Sequence, residues 1–148
     1  MIIGAGPTGL SLACQLIRYG IDFVIIDCKE NVTPFSKALG VHARTLEIYE
    51  QLGIAKQAVA QGTIAGKVRL LYADKIRGEF DISSLGQSMS LYPYMLVLEQ
   101  SKNERLLYDY MQAHSKEVMW QTSLDSFSQT GTQVTAQVNH ANGQSHIF

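Results

Sequence analysis

Three glycines near the start of the chain, in the run Gly4-Ala5-Gly6-Pro7-Thr8-Gly9, have the spacing of a turn that receives a phosphate. Each glycine has its own task. Gly4 permits the tight turn out of a strand, Gly6 lets the backbone approach a pyrophosphate, and Gly9 lets a helix pack closely on its sheet. The pyrophosphate would sit at the helix N-terminus, where free N–H groups and the helix dipole favour an anion. Pro7 fits the first helical position because its missing N–H would have no partner there. Asp27 follows at the end of the next apolar run, where a carboxylate can accept hydrogen bonds from a ribose hydroxyl. The same charge repels a 2′-phosphate, which argues against NADP at this site. The chemistry implied is the binding of an adenine dinucleotide, and the motif by itself leaves FAD and NAD both open.

The flanking elements place these residues. Met1-Ile2-Ile3 is a very short strand. Leu10, Leu12, Ala13, Leu16 and Ile17 give a helical apolar face, and Gly20 closes that helix. Phe23-Val24-Ile25-Ile26 is a continuous, β-branched run suited to a strand buried on both faces of a parallel sheet. Strand, glycine turn, helix and strand within about 27 residues make a βαβ unit. Residues 28–41 read as a loop, Ala43 to about Leu52 as a helix stopped by Gly53, and 54–66 as a short helix and turn. Val68 to Ala73 and Gly78 to Ile82 read as strands of a small insertion. Ser101 and Glu104 fit a capping box, opening a helix that turns Leu106, Leu107, Tyr110 and Met111 inward. Val118-Met119-Trp120 reads as a return to the parallel sheet. Residues 123–130 and 133–139 read as antiparallel strands, and Asn142-Gly143 as a hairpin turn.

Composition narrows the class. The 148 residues are 46% hydrophobic and 17% charged, with a formal net charge of -1. Such a balance suits a globular domain and gives no basic excess for nucleic acid or an anionic membrane. No apolar run nears the ~20 residues that span a bilayer. Cys14 and Cys28 lack metal or redox spacing, which points to a reducing compartment and a cytoplasmic location. His42, His114, His140 and His146 show no metal spacing, so no metal site is expected. Trp120 and the tyrosines read as core residues.

Residues Ser36-Lys37-Ala38-Leu39-Gly40-Val41-His42-Ala43-Arg44-Thr45-Leu46-Glu47-Ile48, then Gln51-Leu52-Gly53, resemble a signature of the flavoprotein aromatic monooxygenases. The likeness is greatest to the phenol hydroxylase-like group. Gly4 to Gly9, Ala13, Gly20 and Asp27 are similar to that family's FAD fingerprint. Leu98-Glu99-Gln100 and Glu104-Arg105-Leu106-Leu107 resemble its segment before the third core strand. Only residues 64–92 match indistinctly.

The resemblance implies a Rossmann-like FAD/NAD(P)-binding α/β fold. It would have a central parallel sheet, an antiparallel β-meander and part of a substrate-domain insertion at about 64–95. FAD is the cofactor implied, NAD(P)H the electron donor, and a small aromatic compound and O2 the substrates. In such enzymes the reduced flavin activates O2 for ring hydroxylation, and the protein supplies binding and orientation. The catalytic residues are therefore not named by this chain. Arg44 would contact the flavin's phosphates or shape the cofactor cleft, because a guanidinium pairs with phosphate in a fixed fork. Gln100 would lie near the ribityl chain. Lys37 stands where the family often has arginine, so it keeps the charge but loses the fork.

Two family elements have no counterpart: an Asp-Gly motif and a later Gly-Asp motif, since neither dipeptide occurs in the sequence. The whole chain, 1–148, is thus expected to be a truncated FAD-binding domain, clipped at its start as well. Such a fragment would hold FAD weakly, self-associate as a homo-dimer or aggregate through uncovered apolar faces, and lack turnover on its own. Two alternatives stay open. One is an FAD-dependent reductase or dehydrogenase of the same fold, such as those acting on isoprenoid lipids. The other is a binding domain that holds a nucleotide, or nothing, without redox work.

Overall fold

The structure, a computed structural model, describes residues 1–36, 40–83 and 86–148. In chain order, strand β1 (Ile2–Ile3) is followed by helix α1 (Pro7–Arg18) and strands β2 (Ile25–Ile26) and β3 (Gly40–Val41). Helices α2 (Ala43–Gln51) and α3 (Ala55–Gln61) come next, then strands β4 (Thr63–Ile64), β5 (Lys67–Tyr72), β6 (Lys75–Asp81) and β7 (Leu96–Val97). Helix α4 (Gln100–Ala113) leads to strands β8 (Thr122–Thr130), β9 (Gln133–His140) and β10 (Ser145–Ile147). The chain divides into two compact units. The first holds Met1–Pro34 and Leu107–Phe148, and the second holds Phe35–Leu106. Among the described residues no helix is long and apolar enough to cross a membrane.

In the first unit β1 and β2 pair in parallel, Ile2 with Ile25 and Ile3 with Ile26, across the crossover helix α1. Met119 extends this order with a parallel bridge to Ile26, so the expected return at 118–120 is present as a single rung. Ile25 and Ile26 point to opposite faces and both are buried, as a strand covered on two sides requires. The ladder is shorter than the run 23–26, with Val24 joining it only through its carbonyl oxygen, which accepts the Ile2 N–H at 2.7 Å. Helix α1 buries Leu10, Ala13 and Cys14, while Leu12 is exposed. At 100° per residue Leu12 lies about 200° around from Leu10, on the far side. Gly20 ends the turn after α1 at φ +65°, a region in which side chains are strained.

The Cys14 thiol donates to the Leu107 carbonyl oxygen at 3.4 Å, which ties α1 to the C-terminal part of α4. Burial pushes that thiol up to about 12. Cys28 is exposed. A thiol reagent at pH 8 is therefore expected to label Cys28 quickly in the folded chain and Cys14 only after unfolding. Mass spectrometry of the labelled peptides, with and without urea, checks this; fast labelling of Cys14 in the native state would contradict the packing of α1.

The unit's second sheet is an antiparallel meander in the order β10-β9-β8. The Asn142-Gly143 turn is as expected: Gly143 has φ +81°, and Asn142 Oδ1 accepts the Gln144 N–H at 3.0 Å. Val138 is fully buried, whereas Phe127, Val134 and Ile147 are exposed. Trp120 is half-buried and packs edge-on against Tyr108, their centroids 5.7 Å apart. Tyr49 and Tyr108 are core residues, but Tyr19 and Tyr72 are exposed, so the tyrosines do not behave as one class.

In the second unit β7 lies between β3 and β4, antiparallel to both. The loop expected over 28–41 thus ends in a strand. Helix α2 stops as expected, with Gly53 at φ +75°. Strands β5 and β6 form a hairpin whose second strand starts earlier than expected, at Lys75. Its two-residue turn is Ala73-Asp74, both left-handed at φ 48° and 57°, a turn usually marked by Asn or Gly. Helix α4 starts at Gln100, with the Asn103 N–H bonded to the Glu99 carbonyl oxygen at 3.0 Å. Ser101 is therefore inside the helix, not its cap. Ser36 Oγ accepts the Gln100 N–H at 3.0 Å and takes over that work from a distant point in the chain.

Candidate cofactor-binding site

The first unit gathers six of the candidate residues: Gly4, Gly6, Pro7, Thr8, Gly9 and Asp27. The turn leaves β1 at Gly4, whose φ of +100° strains any side chain. Gly6 is the N-cap of α1, Pro7 opens the helix, and no side-chain cap and no acidic group occupies the first turn. That helix end keeps its N–H groups and its positive dipole available to an anion. Thr8 is exposed beside it. The turn lines a groove of about 480 Å³ with Met1, Ile2, Ile3, Gly9 and Leu12.

The glycines separate by what a Cβ would meet. At Gly9 it would lie 1.9 Å from the Gly4 carbonyl oxygen, so helix and turn are too close for any other residue. At Gly6 it would meet no protein atom within 4 Å. Nothing inside the protein requires glycine there, whereas a backbone approached by a ligand would. The residues present therefore fit the pyrophosphate of a dinucleotide.

Asp27 is buried at 8% exposure. Its Oδ2 accepts the Ala5 N–H at 2.7 Å and its Oδ1 accepts the Lys29 N–H at 2.8 Å. The carboxylate thus bolts the end of β2 to the glycine turn. An ionised carboxylate has about four acceptor positions, so two bonds leave room for a hydroxyl. Lys29 completes the cluster: its Nζ lies 3.4 Å from the Ala5 carbonyl oxygen and 3.7 Å from Asp27 Oδ2. The sequence reading passed over Lys29; a cation two residues beyond the strand-end acid was the available signal.

The second unit holds Arg44 and Gln100. Arg44 lies in the first turn of α2 with its side chain 76% exposed, and its guanidinium bonds Glu47 at 3.0 Å. Glu47 also accepts the Ser90 hydroxyl at 2.8 Å. Ser90 first and Arg44 second hold that carboxyl below the usual glutamate range. Arg44 borders a groove of about 350 Å³ with His42, Val68, Ile82, Pro93, Tyr94 and Met95. Beside it the Tyr92 hydroxyl donates to the Glu50 carboxylate, which pushes the phenol up to about 12. Gln100 turns its amide back along α4, donating to Glu104 at 2.8 Å. Lys37 lies outside the described residues. A larger apolar groove of about 750 Å³, between Phe23, Leu124, Phe127 and Phe148, includes none of the candidate residues and few polar groups to orient a ligand.

A fold with a dinucleotide turn, a strand-end acid and a following meander defines a nucleotide-binding protein of mixed α/β type. The chain belongs to the FAD binding domain family, whose model matches residues 1–147. It is 36% identical over 134 residues to an uncharacterized aromatic compound monooxygenase, YhjG, of Bacillus subtilis, covering 90% of this chain and 26% of that protein. It is 34% identical over 140 residues to 6-methylpretetramide 4-monooxygenase of Streptomyces rimosus, covering 93% of this chain and 25% of that one. Its fold superposes on p-nitrophenol 4-monooxygenase PnpA of Pseudomonas putida with a TM-score of 0.88 at 20% identity, over 99% of this chain and 37% of the other. The chain spans about a quarter of the length of the two sequence relatives.

Proposed function

We propose that these residues are the FAD-binding part of a flavin-dependent monooxygenase that hydroxylates an aromatic substrate with NAD(P)H and O2, in the cytoplasm. The observation that carries this is the uncapped N-terminus of α1 over the Gly4–Gly9 turn, with the Asp27 carboxylate bonded into it. The βαβ arrangement is read as Rossmann-like, and residues 64–95 as part of a substrate-side insertion. Bound FAD would supply the oxygen-activating chemistry. The chain's own residues bind and orient. Gly6, Thr8 and Gly9 present backbone N–H groups to the pyrophosphate, Gly4 makes the turn with its own N–H spent on the Ile26 carbonyl oxygen, Pro7 opens the helix, and Asp27 accepts from the adenosine ribose. Arg44 and Lys37 serve the phosphates, and Gln100 the ribityl chain. Arg44 has an exposed guanidinium for this, shared with Glu47.

Titration of FAD with the purified chain tests the reading. Saturable quenching of flavin fluorescence is expected, reversed by ADP and left unchanged by FMN, because the turn and Asp27 engage the ADP half. Absence of saturable quenching, or competition by FMN and not by ADP, would overturn it. Hydroxylase activity is measured with NAD(P)H, O2 and phenols as first substrates.

A further inference from the structure

Asp27 presents an electrostatic problem that the proposed function leaves open. Its Oδ2 sits 2.7 Å from the Ala5 nitrogen, inside the turn that would receive a doubly charged pyrophosphate. The carboxylate and a pyrophosphate received by the same turn carry like charges, which repel in a part-buried setting. Lys29 answers this. Its backbone is fixed on both sides: the N–H donates to Asp27 Oδ1 at 2.8 Å, and the carbonyl accepts the Gln121 N–H at 2.8 Å. Its Nζ is thereby delivered to the turn, 3.4 Å from the Ala5 carbonyl oxygen and 3.7 Å from Asp27 Oδ2. The Trp120 ring, 5.9 Å away, flanks the ammonium on another side. The Lys29 side chain remains 36% exposed, so its charge is only partly withdrawn from solvent.

We propose that Lys29 is a positioning residue of the dinucleotide site: it holds the Asp27 carboxylate against the Gly4–Gly9 turn and offsets its charge, so that an anionic ADP group binds beside a carboxylate. The inference rests on the FAD-binding reading. A lysine with a purely structural role would tie β2 to residues 118–121 and would affect charged and uncharged ligands alike. The charge-offset role separates them.

The test compares the 148-residue chain with Lys29→Gln and Lys29→Arg, using ADP and adenosine as competitors against FAD fluorescence quenching. Lys29→Gln is expected to weaken ADP about tenfold at low salt, with the deficit shrinking as NaCl rises. Adenosine, which has no phosphate, is expected to compete within about twofold of wild type, and Lys29→Arg to recover most of the ADP affinity by restoring the charge. Far-UV circular dichroism confirms that each variant is folded; if Lys29→Gln is not, the salt dependence of ADP binding to Lys29→Arg and wild type is compared instead, and a marked difference overturns the proposal. Equal losses for ADP and adenosine, or no loss for either, also overturn it. Failure of the wild type to bind ADP or FAD would instead remove the FAD-binding reading, and this proposal with it.

Discussion

Gly9→Ala is expected to destabilise the chain by about 3 kcal/mol, and the paired Gly6→Ala by less than about 1 kcal/mol. The two substitutions add the same methyl group to the same turn. At Gly9 the new Cβ would lie 1.9 Å from the Gly4 carbonyl oxygen and 3.4 Å from Ile2 Cγ2. The first contact is to backbone, which has no rotamer to retreat to, so α1 must move away from β1. Replacing glycine by alanine in a helix gains at most about 1 kcal/mol of propensity, too little to offset such an overlap. At Gly6 the Cβ enters open space and the backbone, at φ -86°, suits alanine. The only cost is a poorer N-cap. Ligand binding should show the reverse contrast: Gly6→Ala stays folded yet loses at least about tenfold in FAD affinity, because its methyl group fills the place where a pyrophosphate approaches. Urea unfolding followed by circular dichroism gives the first comparison, and FAD fluorescence the second. A Gly6→Ala chain with wild-type FAD affinity would remove the pyrophosphate from this turn.

What could be read from the sequence was what is local. The glycine turn, α1 and β2 lie within one short stretch, and the period of the apolar residues and the glycine positions fix their order. The second hairpin of the meander was legible for the same reason, since Asn142-Gly143 carries its own turn geometry. Readings failed where the deciding partner is far along the chain. The start of α4 is set by Ser36, 64 residues from Gln100, and no pattern around Ser101 reveals that. The β5–β6 turn was misplaced because Ala73 and Asp74 adopt left-handed backbone without the usual residues to announce it. In the candidate site the residue types were legible and their partners were not. Arg44 reads as a phosphate ligand by type, yet its nearest charge is Glu47 in its own helix. Lys29 went unread because its contacts exist only once the turn folds back over the end of β2.

Asp27→Ala is expected to cost about 3 kcal/mol and to abolish measurable FAD binding. A strand-end acid can accept from a ribose, but the bonds Asp27 makes in this chain are internal. Removing it strands the Ala5 N–H, in a fully buried residue, and the Lys29 N–H. Each buried donor left without a partner costs about 1–3 kcal/mol, and the Lys29 ammonium loses the carboxylate 3.7 Å from it. Asp27→Asn is the sharper probe. It keeps the shape, but one of its two ends becomes an NH2 that must face a backbone N–H donor, either at Ala5 or at Lys29. It should therefore lose about 1–2 kcal/mol, between wild type and alanine, and weaken FAD about tenfold or more. If Asp27 served the ribose alone, Asp27→Asn would unfold at the wild-type urea concentration while still losing FAD. If it served only the fold, its FAD affinity would be unchanged at temperatures well below unfolding. Loss on both axes, in proportion to the number of acceptors removed, is what a carboxylate shared between the turn and its ligand requires.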